Sequence, residues 1–141
     1  MNETHKVMIT QSQFEASISK TFSSGSSFDY PRKPQDRVVF LGALSIALAK
    51  QESYNEVQLN EAIVSWLRGF GSTTTLDHVT LRRYLVDAGY LRRDEAGLRY
   101  SVAVAALAAE FEEPVLTLDA HQVVRQARMD REARKQAHGV R

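Results

Sequence analysis

Five arginines fall within a short stretch of the chain and could bind a polyanion such as nucleic acid. They are Arg82, Arg83, Arg92, Arg93 and Arg99, against the three acids Asp87, Asp94 and Glu95. A guanidinium group forms paired hydrogen bonds with a phosphate or with the edge of a guanine. Arg83 and Asp87 lie four residues apart and can partly neutralise each other on a helix. The stretch predicts a nucleic-acid-binding surface made by Thr80 and the five arginines, with DNA as the expected ligand and RNA as the alternative.

A different chemistry is conceivable at the start of the same stretch. Asp77 and His78 stand near Arg82 and Arg83, so an acid, a base and anion-binding groups come together as a hydrolase would need. No serine or lysine nucleophile lies in a recognisable motif, and the four histidines lack the spacing of metal ligands. We therefore predict no enzyme activity, no catalytic residue, no cofactor and no metal site. Asp77 is expected to cap a helix and to pair with an arginine.

Composition restricts the class of protein further. Eighteen Lys and Arg against seventeen Asp and Glu give a net charge of +1, so only local clustering of charge can indicate a partner. There is no cysteine, which excludes disulfides and thiolate metal sites. The first ten residues lack the pattern of a signal peptide, and no apolar run reaches the ~18 residues of a spanning helix. We expect one domain in a cytoplasmic protein without a membrane partner.

The arginines are predicted to sit on a helix and on a hairpin that follows it. Asp77 can cap a helix, Gly89 can end it in the left-handed conformation, and the turn Glu95-Ala96-Gly97 suits a hairpin. On a helical wheel the apolar residues of this helix form two arcs. Leu81, Tyr84, Leu85 and Ala88 make the first arc, and Val79 and Val86 make the second. Thr80, Arg83 and Asp87 are expected to face outward.

Two more helices must precede this unit. One runs from the proline-marked start near Pro34 to about Lys50, and the other begins at Asn55, which forms a capping box with Gln58. Their apolar faces and that of the third helix predict a common core containing Leu41, Leu44, Trp66, Leu67, Leu81 and Leu85. Three helices followed by a hairpin predict a mainly α fold with a small β-hairpin, a winged helix-turn-helix-like domain over residues 28–102.

Helical segments flank this domain on both sides. Residues 1–27 hold a short helix, Gln11 to Phe22, and a Ser/Gly linker, Ser23 to Ser27. Residues 103–141 hold a helix broken before Pro114 and a last helix from Asp119 to Ala137. From Asp119 to Arg141, six Lys or Arg stand against three acids and give a net charge of +3. A solvated helix is the favoured interpretation of that charge, and a nucleic-acid-binding tail is the alternative. Both terminal helices have narrow apolar stripes, so we predict that they form a homodimer rather than complete the monomer core.

Several motifs resemble a bacterial family, the domain of unknown function 2087, over Phe28 to Val102. They are Tyr30-Pro31-Arg32-Lys33, Tyr54-Asn55-Glu56 with Asn60-Glu61, Asp77-His78-Val79-Thr80-Leu81-Arg82-Arg83-Tyr84-Leu85-Val86-Asp87, and Arg93-Asp94 with Tyr100. The resemblance implies a compact winged helix of the kind that often follows a DNA-binding region in bacterial transcriptional regulators. It implies no activity. The chain departs from the family pattern at Gln58-Leu59, at Ser101 and in the inserted loop from Gly69 to Thr75.

These patterns favour a small winged-helix protein that binds DNA and regulates transcription. The alternative is a winged-helix protein-protein interaction module that does not bind nucleic acid. Such a module would centre its interface on exposed aromatic residues, for which Phe70 and Tyr90 are the candidates.

Overall fold

The computed structural model describes residues 7–22 and 26–139, which form six α-helices and one antiparallel hairpin. The helices are α1 (Gln11–Phe22), α2 (Pro34–Leu48), α3 (Glu56–Arg68), α4 (His78–Asp87), α5 (Val104–Glu110) and α6 (Ala120–Gly139), with a 3-10 helix at Glu113–Thr117. Strands β1 (Leu91–Arg93) and β2 (Tyr100–Val102) pair in the register Leu91 to Val102 and Arg93 to Tyr100. The predicted mainly α fold with a small β-hairpin is confirmed.

The central helices begin and end where their capping residues predict. The side chain of Asn55 accepts a hydrogen bond from the Gln58 amide at 2.8 Å, and the Gln58 side chain accepts one from the Asn55 amide at 2.9 Å. Gly89 takes a φ of +83°, which ends α4 and turns the chain into β1. Helices α2, α3 and α4 pack on one another, and α4 contacts β1. This arrangement is compatible with a winged helix.

The predicted core is confirmed in all six of its residues. Leu41, Leu44, Trp66, Leu67, Leu81 and Leu85 are buried together. Helix α2 lies at the centre, because every residue from Val39 to Ile46 is buried. Its apolar surface is too wide for one partner, and it packs on α1, α3, α4 and α5.

Helix α1 belongs to this core as well. Phe14, Ile18 and Phe22 are each at most 1% exposed, and the ring of Phe22 stacks on that of Phe70 with centroids 3.8 Å apart. The prediction that the terminal helices serve a second subunit instead of completing the monomer core is therefore wrong for α1, and it is wrong for the start of α6 as well, where Ala120 and Val124 are buried in the same core. Its narrow stripe suffices because α1 packs against both α2 and α6. Ser23 to Gly25 of the predicted linker lie outside the described residues, and the homodimer itself stays a prediction.

A polar cluster at the edge of the apolar core joins α1 to α2. The Ser17 hydroxyl donates to Asp36 at 2.6 Å, and the Lys20 ammonium lies 2.7 Å from the same carboxylate. Burial alone would raise the pKa of the Asp36 carboxyl, but the hydrogen bonds from Lys20 and Ser17 outweigh it and lower the pKa below its usual value. The carboxylate is thus kept charged and fully bonded where an unpaired charge would be costly.

The end of α5 is set by a contact with Ile9, in the segment before α1. Phe111 leaves the helix in an extended conformation and bridges Ile9, whose amide donates to the Glu110 carbonyl at 3.0 Å. The helix consequently stops at Glu110, just before the predicted break at Glu112-Glu113-Pro114. Among residues 7–22 and 26–139, none of the helices combines the length and the apolar character needed to cross a membrane.

Candidate nucleic-acid interface

The outward face of α4 is less covered than its wheel predicts. Leu81 and Leu85 are fully buried, but Val79 is 55% exposed and Val86 is 41% exposed, and Ala88 is also exposed. The predicted second buried arc is wrong, because α2, α3 and β1 all meet α4 on its other side. Val79, Arg83 and Val86 therefore form one uncovered stripe at helical spacing, which we call the α4 face.

Arg83 stands free on this face. Its guanidinium lies 6.0 Å from the centre of the Tyr84 ring, and the described residues place no acid within ion-pair distance of it, Asp87 included. Thr80 is half-buried, and its amide donates to the Asp77 carboxylate at 2.7 Å. Of the predicted site residues on α4, Arg83 is thus the one most available to a ligand.

The side chain of Arg82 is largely buried and bonded to other residues, so little of it faces solvent. Its guanidinium donates to the side-chain oxygen of Asn60 at 3.0 Å and lies 3.9 Å from the Glu56 carboxylate. It also lies 5.9 Å from the centre of the Tyr100 ring, and the side chain is 21% exposed. Arg82 thereby connects α4 to α3 and to the hairpin. Its main contribution to a site is to fix the orientation of α4 relative to the hairpin.

The hairpin is anchored at its base and organised at its tip. At the base, the backbone amides and carbonyls of Tyr54 and Tyr100 bond each other at 2.8 and 2.9 Å. At the tip, the Asp94 carboxylate accepts from the Leu98 amide at 2.8 Å and the Arg99 amide at 3.2 Å, and Gly97 takes a φ of +73°. Sequence reasoning counted Asp94 only as a charge. The Asp-Glu-Ala-Gly order around the turn was the signal for its bonding role.

The three hairpin arginines differ in how firmly they are held. Arg93 donates to the Gly97 carbonyl at 3.3 Å and lies 5.6 Å from the centre of the Tyr100 ring. Arg99 donates to the Ser53 hydroxyl at 2.6 Å. Arg92 is exposed, and no hydrogen bond or ion pair to another described residue occupies it. All three keep solvent access, so the hairpin offers one free and two positioned guanidinium groups.

Asp77 and His78 do not assemble with the arginines into a catalytic cluster. The Asp77 carboxylate caps α4, and its hydrogen bonds from the Thr80 amide and hydroxyl lower its pKa. The predicted ion pair with an arginine is wrong, since the arginine next in sequence, Arg82, turns to Asn60 instead. Within residues 7–22 and 26–139, no three His, Asp or Glu side chains come close enough to share a metal ion.

Neither aromatic candidate for a protein interface is exposed. Phe70 is 2% exposed among Phe22, Phe28 and Trp66. Tyr90 is 5% exposed, and burial together with the charge of Glu110 raises its pKa to about 12. The expectation that these two rings present an interface is wrong. Phe70 follows the end of α3 and Tyr90 follows the end of α4, and at both places the chain folds back over the core.

We expect Asp94→Ala to loosen the hairpin tip without unfolding the protein. The Leu98 and Arg99 amides would lose their acceptor, and their hydrogen exchange should accelerate several-fold while exchange in α2 stays unchanged. Glu95→Ala is the matched control, because Glu95 is the exposed acid next in sequence. Equal exchange at the tip in both variants would contradict the assigned role of Asp94.

The same tip should also respond to acid. The Arg99 and Leu98 amides lower the pKa of the Asp94 carboxyl in the folded protein. The stabilisation is therefore complete above the ordinary aspartate pKa of about 4 and is lost as the pH falls through the lowered value. Exchange or NMR titration of the Leu98 amide should report that loss, and the Asp94→Ala protein should not show it.

Comparison with known proteins identifies a family for this architecture. A family model described as an uncharacterized protein conserved in bacteria (DUF2087) matches residues 28–102, from the segment before α2 to the end of β2. The match spans more than half of the chain, so the chain belongs to this family, as the sequence motifs indicated. No curated protein and no solved structure matches the chain.

Proposed function

We propose that this member of the DUF2087 family is a cytoplasmic DNA-binding regulatory protein of the winged-helix type. Helix α4 would enter the major groove, where Thr80 and Arg83 contact base edges or position the helix. The hairpin arginines Arg92, Arg93 and Arg99 would rest on the phosphate backbone, and Arg82 would hold the two parts in register. The observation that carries the proposal is the uncovered α4 face with the unpaired Arg83 beside a braced hairpin.

The size and chemistry of the α4 face suit a duplex. The major groove is about 12 Å wide and admits one α-helix. Arginine is the usual reader of guanine, and an exposed aliphatic side chain such as Val79 can contact the methyl group of thymine. A hairpin whose base is bonded to Tyr54 and whose tip is closed by Asp94 loses little conformational entropy when it settles on phosphates.

The sharpest test compares the salt dependence of binding in matched variants. Binding to a mixed-sequence duplex is measured by fluorescence anisotropy at salt concentrations from about 50 to about 200 mM, beside single-stranded RNA of equal length. We expect wild-type affinity for duplex to fall steeply with salt. The Arg83→Ala/Arg92→Ala protein should show a slope smaller by roughly 0.9 for each phosphate that is no longer neutralised, which is about one unit for Arg92 and a second unit if Arg83 lies on phosphate instead of a base. Arg125→Ala is the control, since Arg125 is an exposed arginine on α6 whose guanidinium donates to the Gln122 side chain at 2.7 Å.

A folded protein that binds neither duplex nor RNA at the lowest salt concentration would overturn the proposal. Tighter binding to single-stranded RNA than to duplex DNA would identify RNA as the ligand instead of DNA. If the double variant and the Arg125→Ala control share the wild-type slope, the α4 face and hairpin are not the surface that binds phosphate.

A protein-interaction module remains the second candidate, and one observation favours it. Val79 and Val86 expose apolar surface on either side of Arg83, which a partner helix could cover. In that case Val79→Asp should abolish capture of the partner, and binding should depend weakly on salt. Duplex binding that falls steeply with salt and weakens in both Arg83→Ala and Val79→Asp would favour DNA over this candidate, because a carboxylate added to the α4 face repels a phosphate backbone.

A further inference from the structure

The α4 face continues beyond α4, because the neighbouring rings of Tyr30 and Tyr84, tilted by 39° to each other, connect it to the segment before α2. The rings of Tyr30 and Tyr84 lie 4.9 Å apart. The Arg83 guanidinium stands 6.0 Å from the Tyr84 ring, and that of Arg37 stands 5.6 Å from the Tyr30 ring. The guanidinium groups of Arg83 on α4 and Arg37 on α2 therefore each lie near one ring of the same tyrosine pair. A positively charged surface thus extends from Arg83 on α4 to Arg37 in the first turn of α2.

From Arg37 the positive charge continues toward α1. Arg37 donates to the Pro31 carbonyl at 2.8 Å, which holds it against the segment before α2. A shallow depression at this place is lined by Lys20 of α1 and by Arg32 and Lys33. The acid that faces it from α2 is Asp36, which is buried and already bonded by Ser17 and Lys20. Arg32 and Lys33 are exposed at its rim.

A second depression between α1 and α6 is lined by cations of both helices. It is lined by Ser19 and Lys20 of α1 and by Asp130, Arg131 and Arg134 of α6. Asp130 accepts a hydrogen bond from the Gln126 side chain at 2.9 Å. Beyond this point every described residue of α6 is exposed, so the helix extends past the body of the protein with Arg134 and Lys135 on it.

These contacts define one surface, which we call the basic band: Lys20, Arg32, Lys33, Arg37, Arg131 and Arg134. It adjoins Arg83, so seven cations run from α4 across α2 and α1 to α6. Three acids accompany them, Asp29, Asp36 and Asp130, and Asp36 is buried. Six cations against three acids give the band a net charge of +3, compared with +1 for the whole chain.

We propose that the basic band is a second phosphate-binding surface, along which duplex DNA continues beyond the contacts of α4 and the hairpin. The inference rests on the proposed function and extends it. Duplex DNA carries one charge per about 1.7 Å of its axis, so a run of cations spread over four helices suits its backbone better than it suits a compact anion. The band supplies affinity rather than sequence specificity, because contacts to phosphates fix the position of a protein on the duplex and carry no base information.

The experiment removes three exposed cations of the band. Arg32, Lys33 and Arg134 are exposed, and none is held by a hydrogen bond or ion pair to another described residue. The triple variant Arg32→Ala/Lys33→Ala/Arg134→Ala is compared with Lys50→Ala/Arg68→Ala/Arg125→Ala. The control removes the same number of cations, including a lysine at the opposite end of α2. Circular dichroism confirms that both proteins are folded, and anisotropy with duplexes of about 12 and about 24 base pairs gives the salt slope.

On the longer duplex we expect the triple variant to have a salt slope smaller by about two to three units, because each phosphate left without its cation removes roughly 0.9. The control should keep the wild-type slope. On the shorter duplex, which α4 and the hairpin fill, the variant should differ less. A triple variant that matches wild type on both duplexes, while Arg83→Ala/Arg92→Ala still flattens the slope, overturns the basic band and leaves the proposed function standing. Failure of wild-type protein to bind any duplex overturns both.

Discussion

The Phe22→Ala protein is expected to lose about 3–5 kcal/mol of its free energy of unfolding, the usual range for a buried phenylalanine replaced by alanine. Phe22 is 1% exposed at the end of α1. Its ring stacks on Phe70 at 3.8 Å and packs against Phe28, Phe40 and Trp66 at 4.6, 5.9 and 6.4 Å between centroids. Removing the ring opens a cavity that three other segments of the chain line.

Equilibrium unfolding in urea measures this effect. Ser12→Ala is the control, because Ser12 is an exposed residue of the same helix. We expect the midpoint to fall clearly for Phe22→Ala and to stay within experimental error for Ser12→Ala. If Phe22→Ala kept the wild-type midpoint but changed the mass found by light scattering, α1 would be a dimerisation arm and its place in the monomer core would be refuted.

Arg128→Ala should cost roughly 1.5–3 kcal/mol of stability, the range for hydrogen bonds to charged groups. The Arg128 guanidinium donates to the carbonyls of Phe70 at 2.9 Å and Phe22 at 3.2 Å and to the Ser72 hydroxyl at 3.2 Å. The two carbonyls lie at or just beyond the ends of α3 and α1, where helices leave their last carbonyls unpaired and attract cations. Alanine would leave those acceptors without a donor.

Arg125→Ala is a matched control for this prediction, since it removes an exposed arginine three residues earlier on the same helix. Thermal and urea unfolding should separate the two variants clearly. Equal stabilities would show that Arg128 is one more solvated charge of α6, as the sequence had suggested. The same pair should bind duplex alike under conditions in which both are folded, because the contacts of Arg128 face the protein interior.

Features fixed by neighbouring residues could be predicted from the sequence. The capping box of Asn55 and Gln58, the cap of Asp77 and the turn at Gly97 each depend on residues at most four apart. The core faces of α2 and α3 followed from helical periodicity alone. Family membership could be predicted for the same reason, because the run from Asp77 to Asp87 is contiguous.

Features that depend on distant partners could not be predicted. A helical wheel gave α4 two apolar arcs, but it could not show that Val79 and Val86 stay 55% and 41% exposed. Likewise, Arg82, Arg99 and Arg128 look the same in sequence as Arg83 and Arg92. Their partners Asn60, Ser53 and Phe22 are 22, 46 and 106 residues away. Which arginines are free is therefore a property of the packing.

The bond between Arg128 and Phe22 also bears on how the chain folds during synthesis. It joins the end of the first helix to the middle of the last, across 106 residues. Translation proceeds at about 5–20 residues per second, so α1 would emerge many seconds before the helix that covers it. Until then the ring of Phe22 and the aromatic residues around it lack part of their final shell. Over that interval the nascent chain exposes apolar surface that α6 later covers, and such surface favours aggregation when synthesis stalls before α6 is complete.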